Sequence, residues 1–152
     1  MEIKIDDILE HLELATDNGS SYLHKTTGEI IFISDDIFDY AEDGDLEGLA
    51  EWEKDLTVIA KQIIETDNYI KLPTKFDIHE YAIMEKYCQS IVDDELRKVM
   101  FSSIKGSGAF GRFKDNIRRY NIEEDWFDFR TEALKEIATE WCESNQLHLI
   151  AG

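Results

Sequence analysis

One proline and two cysteines in 152 residues leave little room for several familiar designs. With a single proline and eight glycines, neither a low-complexity linker nor a disordered tail is indicated. Cys88 and Cys142 have no CxxC partner and no metal-ligand spacing, so no disulfide framework or zinc module is expected. Both fall inside helical patterns and read as reduced core thiols of a cytoplasmic protein. No apolar run approaches the roughly 20 residues that a membrane-crossing helix needs. The opening MEIKIDDILEHLEL alternates charge and hydrophobe and lacks the apolar stretch of a signal peptide. No membrane partner is expected.

Positive charge is also scarce. Sixteen Lys/Arg face 34 Asp/Glu, for a net charge of −18. Residues 1–95 hold 25 acids against 7 bases, whereas residues 96–152 hold 9 of each. The acidic part repels nucleic acid and anionic lipid and attracts cations or basic proteins. A solvated acidic surface is the bland reading of the same numbers. A hydrophobic fraction of 43% and 17 aromatic residues support a folded core, and a chain of this length buries about 70% of its unfolded surface. One domain over 1–152 is expected, with an acidic α/β part at about 1–75 and a helical part at about 76–145.

In chain order, Ile5, Ile8, Leu9, Leu12 and Ala15 predict a helix over 3–16, with Gly19 in a left-handed position after it. Tyr22-Leu23-His24 and residues 29–33 predict a β-hairpin with Tyr22, Ile30 and Phe32 on one face. Residues 35–55 form the densest acidic run and read as an exposed loop leading into a helix. Asp35, Asp36, Asp39, Glu42, Asp43, Asp45 and Glu47 are its candidate interaction surface. The run fails as a calcium loop, because with Gly44 as sixth residue the third and twelfth are Ala41 and Ala50. A helix is predicted from about Asp45 to Thr66, with Leu46, Leu49, Leu56, Ile59, Ala60, Ile63 and Ile64 as its stripe. Residues 69–72 alternate like a third strand. Helices at about 77–92 and 94–104 follow, the second capped by Asp93 or Asp94.

Residues 97–130 carry half of the basic residues. Gly106 to Gly111 satisfies G-x-G-x-x-G, but a helix precedes it where a dinucleotide site needs a strand. Gly106 is expected to turn the chain and Ser107 to cap a helix over about 108–120. Phe110, Phe113, Ile117 and Tyr120 share that helix's core face, and Asp115 lies within reach of Arg112 and Arg119. Lys105, Ser107, Arg112, Lys114, Arg118 and Arg119 form a candidate anion site, and the interleaved aromatics suit single-stranded nucleic acid. A third reading docks this basic helix on the chain's own acidic half. Asn121 and Glu124 predict the capping of a last helix. Its broad face holds Trp126, Phe127, Arg130, Ala133, Leu134, Ile137, Ala138, Trp141 and Cys142. Residues 146–152 read as a tail.

The stretches YLHKTTGEI, GSGAFGRFKDNI and WFDFRTEALKEIATEW resemble, in this order, the pattern of uncharacterised protein family 0158, a bacterial family without an assigned function. Gly111 departs from that pattern, where a basic residue is commoner. The resemblance implies a grouping and no chemistry.

The expected fold is α+β and predominantly helical, with five to six helices and a small N-terminal hairpin or three-stranded sheet. No cofactor signature is present. His24, His79, Glu29, Asp35 and Asp36 are polar groups of the kind enzymes use, but they form no acid/base, nucleophile or metal pattern. The leading expectation is a non-enzymatic interaction protein of bacterial or phage type, whose acidic surface meets a basic protein partner and mimics nucleic acid. The alternative is a nucleic-acid- or phosphate-binding module using residues 105–119.

Overall fold

The hairpin and the third strand form as the alternating patterns suggest. In the protein's structure, a computed structural model that describes residues 1–44 and 46–151, β2 (Gly19–His24) pairs antiparallel with β3 (Ile30–Ser34) and with β4 (Tyr69–Lys71). The strand order is β3-β2-β4. The fold is α+β and mostly helical.

The register differs from the expected one. Tyr22 faces Ile31, while Leu23 faces Ile30 and Ser21 faces Phe32. Tyr22 therefore lies on the opposite face from Ile30 and Phe32. A one-residue change of register exchanges the faces of a strand, and apolar residues at consecutive β3 positions could not decide between the two. Gly19 is not left-handed. Its backbone runs so close to β3 that an added Cβ would stand 2.5 Å from the Phe32 ring and 2.6 Å from the Ile33 carbonyl oxygen.

The first predicted helix is two elements. Glu2-Ile3-Lys4 forms β1, and α1 (Ile5–Glu13) follows directly. The tail expected after residue 145 contains β5 (His148–Ile150), which pairs in parallel with β1 so that Ile3 faces Leu149. A three-residue strand carries too short an alternation to be read from sequence.

The acidic run is largely helical rather than a loop. Helix α2 (Asp35–Asp43) starts at once after β3 and stops at left-handed Gly44. Helix α3 (Glu51–Glu65) starts six residues later than predicted. Its N-cap is Ala50, whose N–H donates to the Glu53 carboxylate at 3.0 Å, an arrangement without the usual Ser, Thr, Asp or Asn signal. Ile33, Ile37, Ala41 and Ala60 form a buried cluster under Tyr22, Phe38 and Leu56. Thr57 is buried too, its hydroxyl donating to the Glu53 carbonyl at 2.7 Å. Ile64, assigned to the apolar stripe, is exposed.

Two compact units emerge: residues 1–78 together with those from Ile137 onward, and His79–Glu136. The first is called the sheet unit and the second the helical unit. The helical unit starts at His79, whose left-handed backbone (φ 54°) divides the predicted helix into α4 (Lys75–Ile78) and α5 (Glu80–Ser90). Asp93 caps α6 (Asp94–Ser103), accepting from the Leu96 N–H at 2.8 Å. Helix α7 (Ala109–Arg119) and the first part of α8 (Glu123–Ser144) complete it.

Rings dominate the core of the helical unit. Tyr87 packs edge-on against Phe113, Trp126 and Phe129, an arrangement that aromatic quadrupoles favour. The Tyr87 hydroxyl donates to Asp125 Oδ2 at 2.8 Å. Arg130 donates through Nε to Glu80 Oε1 at 2.8 Å, and this pair is about four-fifths buried on each side. Phe110, Tyr120 and Phe127 were all placed in the core by periodicity, yet all three are exposed. The apolar stripes of α7 and α8 are narrower than the aromatic content of these helices suggests. Cys88 and Cys142 are buried free thiols, pushed up in pKa by burial, Cys88 to about 11.

Candidate functional site

The acidic run produces a one-sided helix. At about 100° per residue, Asp35, Asp36, Asp39, Glu42 and Asp43 fall within about 120° of one another on α2. Ile37 and Ala41 occupy the opposite side and are buried. All five acids are exposed. None of them forms a salt bridge among the described residues. Glu47 is exposed beyond the helix, and Asp45 lies outside the described residues. Helix α3, which packs on α2, adds exposed Glu51 and Asp55 and a Trp52 that is 63% exposed. Asp35 also helps to raise the pKa of Tyr22, although burial of the phenol is the larger cause.

The basic corner is built differently from the expected anion site. Gly106 and Gly108 are both left-handed (φ 75° and 79°), and Gly108, not Ser107, is the N-cap of α7. A Cβ on Gly108 would also stand 3.0 Å from Arg112 Nη1. Arg112 is turned back onto the corner. Its Nε donates to the Ser103 carbonyl at 2.9 Å, its Nη1 to that of Ser107 at 2.6 Å and its Nη2 to that of Lys105. The planar guanidinium satisfies three acceptors that the turn leaves unpaired. Arg112 thus spends its donors on backbone, and the expected pairing with Asp115 does not occur.

Lys105, Lys114, Arg118 and Arg119 are exposed, and Ser107 offers its carbonyl to Arg112. Arg118 approaches Glu123 at 3.9 Å between exposed side chains. Phe110, Lys114 and Arg118 form a stripe beside the buried Ala109, Phe113 and Ile117. Asn121 does not cap α8. It is left-handed (φ 56°) and ends α7, letting the Ile122 N–H reach the Ile117 carbonyl at 2.9 Å. At Gly111 the space around a Cβ is open, so the basic residue commoner in the resembled pattern meets no obstacle there.

The polar residues weighed for catalysis are scattered. His24 Nδ1 accepts from the N–H groups of Thr26 and Thr27 at 3.1 and 3.2 Å, and its ring packs edge-on to Tyr69. It organises the hairpin turn, in which Glu29 lends its carbonyl to the His24 N–H. His79 marks the break before α5. Sequence reasoning missed His11. Its Nδ1 lies 2.9 Å from the Ser21 hydroxyl, and burial is the main cause that lowers its pKa. Its place on the α1 stripe between Ile8 and Leu12 was the available signal. Among the described residues no group of three or more His, Cys, Asp or Glu could hold a metal ion, and no helix is long and apolar enough to cross a membrane.

No solved structure matches the chain. It is similar to UPF0158 protein PA5073 of Pseudomonas aeruginosa, at 22% identity over 148 residues that cover 97% of this chain and 85% of that protein. The pattern of the uncharacterised protein family UPF0158 matches residues 1–152, the same grouping to which the hairpin, the Gly-rich corner and the W-x-x-F-R helix point, and the chain belongs to that family.

Proposed function

We propose that the protein is a non-enzymatic, cytoplasmic interaction protein that binds a basic protein partner through the outer face of α2. The supporting observation is the set of five exposed carboxylates without salt bridges among the described residues, gathered on one side of a helix whose other side is buried. Such a row attracts lysines and arginines over a Debye length of about 10 Å at 0.1 M salt and speeds encounter. It presents the kind of linear negative charge that a nucleic-acid-binding surface normally meets, which makes mimicry of nucleic acid its mode of action. Trp52 supplies the aromatic anchor that charge alone lacks, since aromatic side chains carry much of the energy at interfaces.

The test immobilises the wild type and an Asp36→Asn/Asp39→Asn/Glu42→Gln/Asp43→Asn variant, and passes a nuclease-treated bacterial lysate over both. A basic protein retained by the wild type, released by salt or by added duplex DNA and absent from the variant, is the expected result. Equal retention by both overturns the reading.

A second reading uses Lys105, Lys114, Arg118 and Arg119, with Phe110, Tyr120 and Phe127 as stacking rings, to bind single-stranded nucleic acid or phosphate. The exposure of Phe110 and Tyr120, on and at the end of the helix that bears Lys114, Arg118 and Arg119, favours it. Fluorescence anisotropy with labelled single-stranded RNA and duplex DNA tests it at about 50 and about 200 mM salt. Binding that weakens with salt and with Lys114→Glu/Arg118→Glu/Arg119→Glu would replace the first reading with this one.

A further inference from the structure

A groove of about 600 Å³ opens in the helical unit between the α5–α6 corner and the first half of α8. Its volume lies within the usual range for small-molecule sites. Ile91, Leu96, Ile122 and Phe129 provide apolar walls, and Val92 at the corner is 92% exposed. Four carboxylates also line it: Asp93, Asp125, Asp128 and Glu132. The last three share one side of α8 with Phe129, within about 100° of helix rotation.

Local structure accounts for only part of this charge. Asp93 caps α6, and Asp125 sits in the first turn of α8, where a carboxylate offsets the helix dipole. Asp125 is further held by the Tyr87 hydroxyl. Asp128 and Glu132 lie in later turns, where the dipole offers nothing. Glu132 meets Lys135 at 3.3 Å between exposed side chains, a contact of little energy, and Asp128 has no partner among the described residues. The neighbouring cation, Arg97, is committed to Asp94 and to the Ile91 carbonyl at 2.8 Å. The four carboxylates are also not clustered closely enough to hold a single metal ion. Apolar walls between spaced negative charges complement a ligand with spaced positive charges on an apolar chain.

We propose that this groove binds an aliphatic polyamine, whose methylene segments lie on Ile91, Leu96 and Phe129 while its ammonium groups meet Asp125, Asp128 and Asp93. The site is separate from α2 and does not depend on the protein-partner reading.

The test titrates spermidine into the full chain at about 150 mM salt and follows backbone amides by NMR. Saturable binding of one equivalent is expected, with shifts concentrated in residues 87–96 and 122–132. Asp125→Asn/Asp128→Asn should weaken it about tenfold or more, a change of about 1.4 kcal/mol. The amide oxygen at 125 still accepts from Tyr87, so the aromatic core is preserved. Asp36→Asn/Asp39→Asn should leave affinity unchanged. Shifts spread over all the acidic surfaces, or equal displacement by Mg²⁺, would identify ion-atmosphere binding and overturn the proposal, and the wild-type map alone decides this. A lysine- and leucine-containing peptide that moves the same amides where spermidine does not would assign the groove to a protein segment, which also overturns it.

Discussion

The sheet unit and the helical unit solve the problem of folding with opposite materials. His79–Glu136 carries 12 acids and 10 bases, a net charge of −2, and packs around Tyr87, Phe113 and Trp126. The remaining residues carry 22 acids and 6 bases, a net of −16, around aliphatic residues such as Ile8, Leu23, Ile33 and Ile37. The helical unit turns Arg112 onto its own backbone and pairs Arg130 with Glu80, while Lys105, Lys114, Arg118 and Arg119 stay exposed. The other leaves its anions facing water. Unbalanced charge costs folding stability through self-repulsion, and under the proposed reading the acidic face of α2 is kept for a basic partner.

This contrast can be broken from the aromatic side first. Phe113→Ala removes a ring that touches both Tyr87 and Trp126. A loss of about 3–5 kcal/mol is expected in denaturant unfolding, with loss of the near-UV contribution of Trp126. Next, Arg130→Met leaves Glu80 largely buried without its cation, and a loss of about 2 kcal/mol is expected. Glu80→Gln in the same chain should recover part of it. Arg112→Lys should cost about as much, since an ammonium cannot reach three carbonyls in one plane. The expected loss is about 2 kcal/mol, below the sum of the lost charge-assisted bonds at about 1.5–3 kcal/mol each, because Arg112 is exposed and water replaces part of each.

Much of this contrast in charge and local structure can be read from sequence. The charge imbalance, the hairpin, the third strand and the Asp93 cap are written in composition, alternation and a capping residue, all local signals. What escaped has physical causes. Whether Phe110 and Phe127 are buried depends on how wide a stripe the neighbouring helices cover, and projection of one helix cannot supply that. The β1–β5 pairing joins residues nearly the whole chain apart. Arg112 looked like an anion ligand because its charge was visible, while the carbonyls of Ser103, Lys105 and Ser107 appear only once the left-handed glycines bend the chain toward it. The α2 surface was legible as charge, and its confinement to one face followed from helix formation.

Smaller effects sharpen the comparison on the acidic side. Like charges three and four apart on α2 cost about 0.2–0.5 kcal/mol per pair. Asp39→Asn/Asp43→Asn, which spares the first-turn carboxylates that offset the helix dipole, should therefore raise the melting temperature slightly at low salt, and the difference should vanish at about 0.5 M as screening removes the repulsion. His11 provides a pH signature. Its folded pKa lies below its unfolded value of 6.5, so the unfolded chain binds the proton more readily. Stability should be full above about pH 6.5 and should fall as pH drops from there through the folded pKa. His11→Gln should flatten that part of the curve.

The account rests most on which surface a partner touches. Carbodiimide joins carboxylates to lysines at zero length, so cross-linking the protein to its retained partner and mapping the products by mass spectrometry reads that surface out. Links from Asp36, Asp39, Glu42 and Asp43 to partner lysines are expected. Links confined to Lys105 and Lys114, joined to partner carboxylates, would contradict the account and make the basic corner the docking face.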